Sequence, residues 1–344
     1  MLKNIYKIFI LIVFAAFIGC TSNKTPAVRS VYYWKTVFKL SESDVNWMKE
    51  NGIKKIYLRM FDVDWDAVSS SVLPAGDAII ETRYVKGVEI IPVVFITNRT
   101  LVNIPDSLIS DLAYKIKTKV MLKGEKLPDN KFNELQIDCD WSEKTKDKYF
   151  SLLNLLRGFI KPNIVSATIR LHQVKYFKKT GVPPADKGML MFYNMEDVRD
   201  INAGNSIFNE EIAKNYLYNF NKYPLRLDVV LPAFSWAAVY ENGRLVNLVN
   251  NISADQLKFN YDYKEVKEKQ YICKTDNIIN GVLFKANSIV KIEDVSPETT
   301  ERAASIISGY IRKENLTVSI FHFTQKMVQS YDKKKLENIF SHFN

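Results

Sequence analysis

Short apolar runs alternate along this chain with stretches whose apolar positions recur at helical spacing. The runs at 31–34, 55–61, 89–96, 135–140, 165–172, 189–194, 227–234 and 318–323 are rich in Val, Ile, Phe and Tyr and read as strands. Between them, 41–51, 105–122, 144–160, 209–220 and 297–313 read as helices. Ser41 or Ser43 can cap the first, and Ser296-Pro297-Glu298 opens the last with a cap, a proline in the first turn and an acid near the positive helix end. Alternating strands and helices predict an α/β fold with a parallel sheet. Eight such units favour a closed (β/α)8 TIM barrel over an open doubly wound sheet. The stretch 237–293 breaks the rhythm with a turn at Asn242-Gly243, a polar helix near 254–259 and strand-like runs at 269–273 and 281–284. It predicts a small α+β insertion, or lid, between the seventh strand and the following helix, within a barrel spanning 31–344.

One strand departs from the apolar rule. In Leu135-Gln136-Ile137-Asp138-Cys139-Asp140, side chains alternate between faces, so Gln136, Asp138 and Asp140 share one face. Leu135, Ile137 and Cys139 share the other. Burying unpaired carboxylates is costly, so a basic partner, a ligand or a reacting substrate must meet these acids.

The first residues stand outside the fold. Lys3 and Lys7 precede an apolar run, 8–18, of signal-peptide length, closed by Gly19-Cys20. Phe17-Ile18-Gly19-Cys20 resembles a bacterial lipobox, which implies cleavage after residue 19 and a lipid on Cys20. The expected location is then the cell envelope, facing the periplasm or the cell surface, with 20–30 as a polar tether and the lipid anchor holding the chain to a membrane. A simple secretory signal or an uncleaved anchor is the alternative. Removing residues 1–19 lowers the net charge from +10 to +8. That charge is spread out, with lysine clusters at 174–179 and 331–335, so no concentrated basic face points to nucleic acid.

Cys139 falls on the apolar face of its strand, where a small buried thiol is ordinary, so no disulfide with Cys273 is expected. His172, His322 and His342 match no zinc spacing. Asp62-Val63-Asp64-Trp65-Asp66 lacks the glycine and terminal glutamate of a calcium loop. The first strand is followed by no glycine-rich phosphate fingerprint. No cofactor or metal is expected, and the oligomeric state stays open.

Barrel enzymes place their chemistry at the C-terminal strand ends. Here those ends carry Tyr33 and Trp34, then Arg59, Asp62 and Asp64, then Asp138, Asp140 and Trp141. Further on stand Arg170 and His172, Tyr193 and Asn194, Phe234 and Trp236, and His322. Aromatic faces beside carboxylates and amides suit a sugar ring, whose CH patches stack and whose hydroxyls need directed partners. Asp138-Cys139-Asp140-Trp141 resembles the core of the Asp-x-x-Asp-x-Asp-x-Glu motif of family-18 chitinases, and Met191-Phe192-Tyr193-Asn194 resembles that family's Met-x-Tyr-Asp. The wider pattern, with Tyr32-Tyr33-Trp34 and Pro232-Ala233-Phe234-Ser235-Trp236, is similar to an uncharacterised bacterial lipoprotein family of barrel proteins related to glycoside hydrolases. The resemblance implies a barrel and a glycan ligand.

Aligned on Asp138 and Asp140, the family's first acid falls on Leu135 and its catalytic acid on Ser142. Glu143 stands one position late, and one step on a strand reverses the face unless a loop turns it back. The leading expectation is a glycoside-hydrolase-like protein that hydrolyses its glycan through strand-end carboxylates, and such hydrolysis ordinarily uses two of them. Asp140, nearest the mouth, is the first candidate, with Glu143, Asp62 and Asp64 as candidate partners and Asp138 as electrostatic support. Arg59 could reach Asp138 or Asp140 across the core, which would instead make Asp138 half of an internal ion pair. Trp34, Arg59, Asp62, Asp64, Trp141, His172, Tyr193, Asn194 and Trp236 are the candidate sugar contacts. His172 and His322 could equally be core histidines, and the tryptophans could be packing beneath loops. The competing reading is a glycan-binding lipoprotein that has lost its acid. A purely structural envelope protein would have its mouth plugged by the insertion.

Overall fold

A computed structural model describes residues 26–344 except 83–84, 128–131, 161–162, 219 and 251. Cys20, the signal segment and most of the tether lie outside the described residues. The eight expected runs all form parallel strands: β1 (Val28–Tyr33), β2 (Lys55–Asp66), β3 (Glu89–Ile96), β4 (Glu134–Asp138), β5 (Ile164–Arg170), β6 (Lys187–Met191), β7 (Leu227–Pro232) and β8 (Thr317–Phe321). Each pairs with its neighbours in order, and β1 pairs with both β2 and β8, so the barrel closes. Helices at Glu42–Glu50, Ile109–Gly124, Lys146–Phe159, Glu210–Tyr216 and Pro297–Ser308 cover the outside. Ser41 caps the first in a reciprocal box with Asp44. Ser296 caps the last through Thr299.

The crossover from β2 to β3 departs from the repeating unit. β2 runs on past the barrel rim and folds back through an antiparallel hairpin with Ser71–Ala75, so among the described residues no helix follows β2. The insertion emerges directly from β7. Its strands Ser235–Glu241, Arg244–Asn250, Tyr263–Lys267, Gln270–Cys273 and Ile289–Asp294 form one antiparallel sheet. That sheet has an apolar core of its own, including Ile252, Leu257, Tyr271, Cys273 and Phe284. Cys139 and Cys273 are both buried free thiols, one in each core.

The outward residues of β4, Leu135 and Ile137, pack under the helices, and the inward ones are polar yet buried. Glu134, 1% exposed, meets Lys187 of β6 at 2.8 Å, and Lys187 also meets Asp228 of β7 at 2.8 Å. Ser166 donates to Glu134 at 2.6 Å, and Thr317 N–H donates to Asp228 at 2.8 Å. One level higher, the Tyr32 hydroxyl donates to Gln136 at 2.5 Å. The barrel floor is therefore filled by a paired ionic network instead of by hydrocarbon alone. Removing the shared cation leaves Glu134 and Asp228 only their more distant partners, Lys55 at 4.0 Å and Arg226 at 3.7 Å, so Lys187→Met should cost about 3 kcal/mol or more in urea unfolding. A loss below about 1 kcal/mol would contradict this account.

Candidate active-site cleft

The barrel mouth holds an open cleft of about 390 Å³. Its apolar surface comes from Trp34 after β1, Phe95 of β3, Tyr193 after β6, Phe234 and Trp236 after β7, and Phe321 of β8. The rings brace one another: Trp34 and Tyr193 lie 5.7 Å and 5.3 Å from Phe321, and Phe234 lies 5.3 Å from Trp236. Polar groups rise from this floor: Arg59, Asp62, Asp138, Asp140, Arg170, Asn194, Asn250 and His322. Trp236, Leu248 and Asn250 belong to the insertion, so the insertion forms one wall of the cleft and does not plug it.

β4 ends at Asp138, and the parity read from the sequence carries one step further. Asp138 is only 6% exposed and accepts a 2.6 Å hydrogen bond from Thr168 on β5. Burial, reinforced by the charges of Asp140 and Asp62, raises its pKa to about 6 against the opposing pull of Arg170 and Thr168. The Asp140 side chain is 50% exposed and is gripped side-on by Arg170, whose Nη2 donates at 3.1 Å while Nε takes the other oxygen. Buried Gln173 fixes this geometry: its Oε1 accepts from Arg170 N–H at 2.7 Å and its Nε2 donates to Trp141 O at 3.0 Å. The ends of β4 and β5 are thus bolted together. Arg170 also lies over the Tyr193 ring at 5.9 Å. Burial pushes the Tyr193 phenol up, with Arg170 opposing, so it stays protonated.

Arg59 does not cross the core to these acids. A bulge in β2 between Arg59 and Phe61 shifts the parity, so Arg59 and Asp62 share a face three residues apart. They form their own pair, with Nε donating at 2.7 Å. The guanidinium runs beside Gly76, where a Cβ would collide with it, and lies 5.9 Å from the Trp34 ring. Asp64 sits outside the cleft in the hairpin, bonded to Arg99 and to Thr97 at 2.7 Å. The Arg99 hydrogen bond holds its carboxyl down to about 2.

Several other expected contacts also lie elsewhere. Trp141 is 1% exposed, stacks on Tyr149 and donates to Thr180 O at 3.0 Å. It packs the barrel exterior because the chain has left the strand and turned. Ser142 directs that turn: its N–H donates to Thr145 Oγ1 at 2.9 Å and its carbonyl accepts from Lys146 N–H at 3.0 Å. Glu143 consequently points to solvent outside the cleft, and the loop does not bring it back. His172 is exposed and lines an adjoining hollow with Asp140, Tyr193 and Asn194. Asn194 has φ of 55°, a left-handed conformation that asparagine tolerates well. Asp62, Asp138, Asp140, Trp34, Arg59, Tyr193, Asn194 and Trp236 are brought together; Asp64, Trp141 and Glu143 are not.

Sequence reasoning missed the partners. Thr168 and Gln173 carry no signal in one chain, and the Arg170–Asp140 pairing spans 30 residues. Glu293 was also missed: only 2% exposed, it accepts from the Trp236 indole N–H at 2.9 Å and meets Lys291 at 2.8 Å. Cross-strand pairing places it directly opposite Trp236. Among the described residues no group of three or more His, Cys, Asp or Glu is placed to hold a metal ion.

The raised pKa of Asp138 has a sign. The folded state keeps this proton that the unfolded chain releases near 3.8, so the contribution is full below about pH 4 and lost as pH rises to about 6. Urea unfolding should show wild-type stability falling by a few kcal/mol more over that window than Asp138→Asn does. Parallel curves for the two proteins would show that Asp138 is ionised throughout.

No protein-family model and no curated protein sequence matches the chain. Solved structures do. The spore cortex-lytic enzyme SleL of Bacillus cereus superposes with a TM-score of 0.55 at 11% identity, over 93% of this chain and 76% of that one. A chitinase from Chromobacterium violaceum gives 0.53 at 9% identity, over 90% and 98%. The C-terminal domain of a putative chitinase from Desulfitobacterium hafniense gives 0.52 at 10%, over 93% and 99%. At these identities the likeness is one of fold: the chain shares the closed barrel of chitinase-like glycoside hydrolases.

Proposed function

We propose that this protein binds a glycan in the barrel-mouth cleft and does not hydrolyse it by the chitinase route. The observation that carries the proposal is the pairing of an open aromatic floor with acids already committed to arginines. Trp34, Tyr193, Phe234, Trp236 and Phe321 offer faces for sugar CH groups. The pairs Arg59–Asp62 and Arg170–Asp140 offer fixed donors and acceptors at the rim for hydroxyls. An aspartate gripped side-on by a guanidinium has both carboxylate oxygens already engaged as acceptors, which leaves it poorly placed to serve a reacting sugar. The position of the familiar acid is Ser142, spent on the turn with Thr145. A chitinase among the structural neighbours supports a glycan as the class of ligand.

A second reading keeps hydrolysis. Asp138, raised to about 6 by its burial beside Asp140, is a carboxyl that could carry a proton near neutral pH. A glycan array read for binding and for released sugar separates the two. Binding without release is expected, and Trp236→Ala should weaken it about tenfold, the loss of roughly 1.4 kcal/mol of stacking and burial. Release by the wild type that disappears in both Asp138→Asn and Asp140→Asn would overturn the binding-only proposal.

Lipid anchoring at Cys20, on the cell-envelope side facing the periplasm or surface, belongs to the same proposal. Incorporation of radiolabelled palmitate in the producing bacterium should be lost in Cys20→Ala. Label retained by that variant would refute it.

A further inference from the structure

Behind Phe234 the cleft borders a second cavity of about 230 Å³, set between the ends of β7 and β8. Phe234, Asn250 and His322 line both spaces, so the two share one wall. The chemistry of the second chamber differs from that of the cleft. Its cation is Lys326, whose ammonium donates to Ser235 Oγ at 2.9 Å. A lysine has three N–H groups to place, and among the described residues Lys326 has no carboxylate partner. The acid in the same wall, Asp294, is already neutralised by Lys269 at 2.6 Å.

At the junction, His322 Nδ1 is buried and has no hydrogen-bond partner among the described residues. Orphaned buried polar atoms are uncommon and call for a partner. Burial, with Lys35 as a second nearby cation, lowers its pKa to about 4, so the ring is neutral at physiological pH. The neutral ring shares the cavity wall with Lys326, and its Nδ1 is left without a hydrogen-bond partner there. Barrel proteins commonly seat anionic groups at the loops after strands seven and eight.

We infer that this chamber takes an anionic substituent of the bound glycan, a carboxylate or a sulfate, with Lys326 as counter-charge and His322 as the hydrogen-bonding group at the junction. The inference rests on the glycan reading and narrows it to acidic glycans. A neutral sugar lies across the aromatic floor, and its charged appendage turns past Phe234 to the ammonium. Charge-assisted hydrogen bonds of this kind are about twice as strong as neutral ones, which is enough to make the chamber a discriminator.

The test is the full chain on an array carrying neutral, uronate-containing and sulfated oligosaccharides, beside Lys326→Met and Lys326→Arg. Acidic members should bind at least about tenfold tighter than neutral ones of similar length. Lys326→Met should abolish that preference while leaving neutral binding unchanged, which also reports that the variant is folded. Lys326→Arg should keep it. Preference for uronates or for sulfates supports the inference and names the anion. Equal binding of neutral and acidic members, or a preference that survives Lys326→Met, overturns the chamber but leaves the glycan reading standing. No binding to any member overturns both.

Discussion

The structure depends on satisfying one strand. β4 directs Glu134, Gln136 and Asp138 into the barrel, where each is buried, and an unpaired polar group there would cost several kcal/mol. Each level is met by a different neighbour: Lys187 of β6 for Glu134, Tyr32 of β1 for Gln136, Thr168 of β5 for Asp138. Those partners come from strands around the circumference, so the same bonds that satisfy β4 fix the registers that close the barrel. The fold and the site are consequently one construction. Asp138 is the top level of a stack whose bottom level is an ion network.

That construction also limits the chemistry. A carboxylate at a barrel mouth can serve as acid, base or nucleophile only while its proton or lone pair is available to substrate. Asp140 and Asp62 are each engaged by a guanidinium, and the pairs are held by backbone features: the bulge in β2 and the Gln173 clamp between β4 and β5. Asp138 alone keeps a carboxyl whose proton the surroundings favour, and it does so by being buried behind the others. The cleft thus offers a rigid pattern of charges and rings, well suited to recognition, with its titratable group in the deepest layer.

Much of this was legible in the sequence because it follows from period. Apolar runs gave all eight strands, the Asn242-Gly243 turn announced the insertion, and strict alternation put Asp138 and Asp140 on the cleft face. What could not be read was what alternation does not govern. The bulge at Met60 inverted the parity of β2, so Arg59 met Asp62 and not the acids of β4. Parity ceased after Asp140, so Trp141 turned into the outer core and Glu143 into solvent. The hairpin after β2, for which no element had been read, carried Asp64 away from the mouth to Arg99. Partners such as Thr168 and Glu293 lie far off in the sequence and leave no local mark, and Arg170, though read at its strand end, carried no sign of its pairing with Asp140.

The insertion builds one wall of the cleft while leaving the barrel core unchanged. It leaves β7 at Ser235, and the first residue past that point to reach the cleft is Trp236. Glu293, opposite on the returning strand, holds the Trp236 indole nitrogen, while Ser206 from the loop after β6 donates to the same carboxylate. Lys291, one more inward residue of that strand, pairs with Glu293 and donates to Ala203 O at 2.6 Å. A buried acid therefore ties insertion, loop and platform into one unit, with its charge balanced inside the wall. The charge of Glu293 and Lys291 is thus spent inside the wall, whereas on the far side of Phe234 Lys326 lines the second cavity with no carboxylate partner among the described residues.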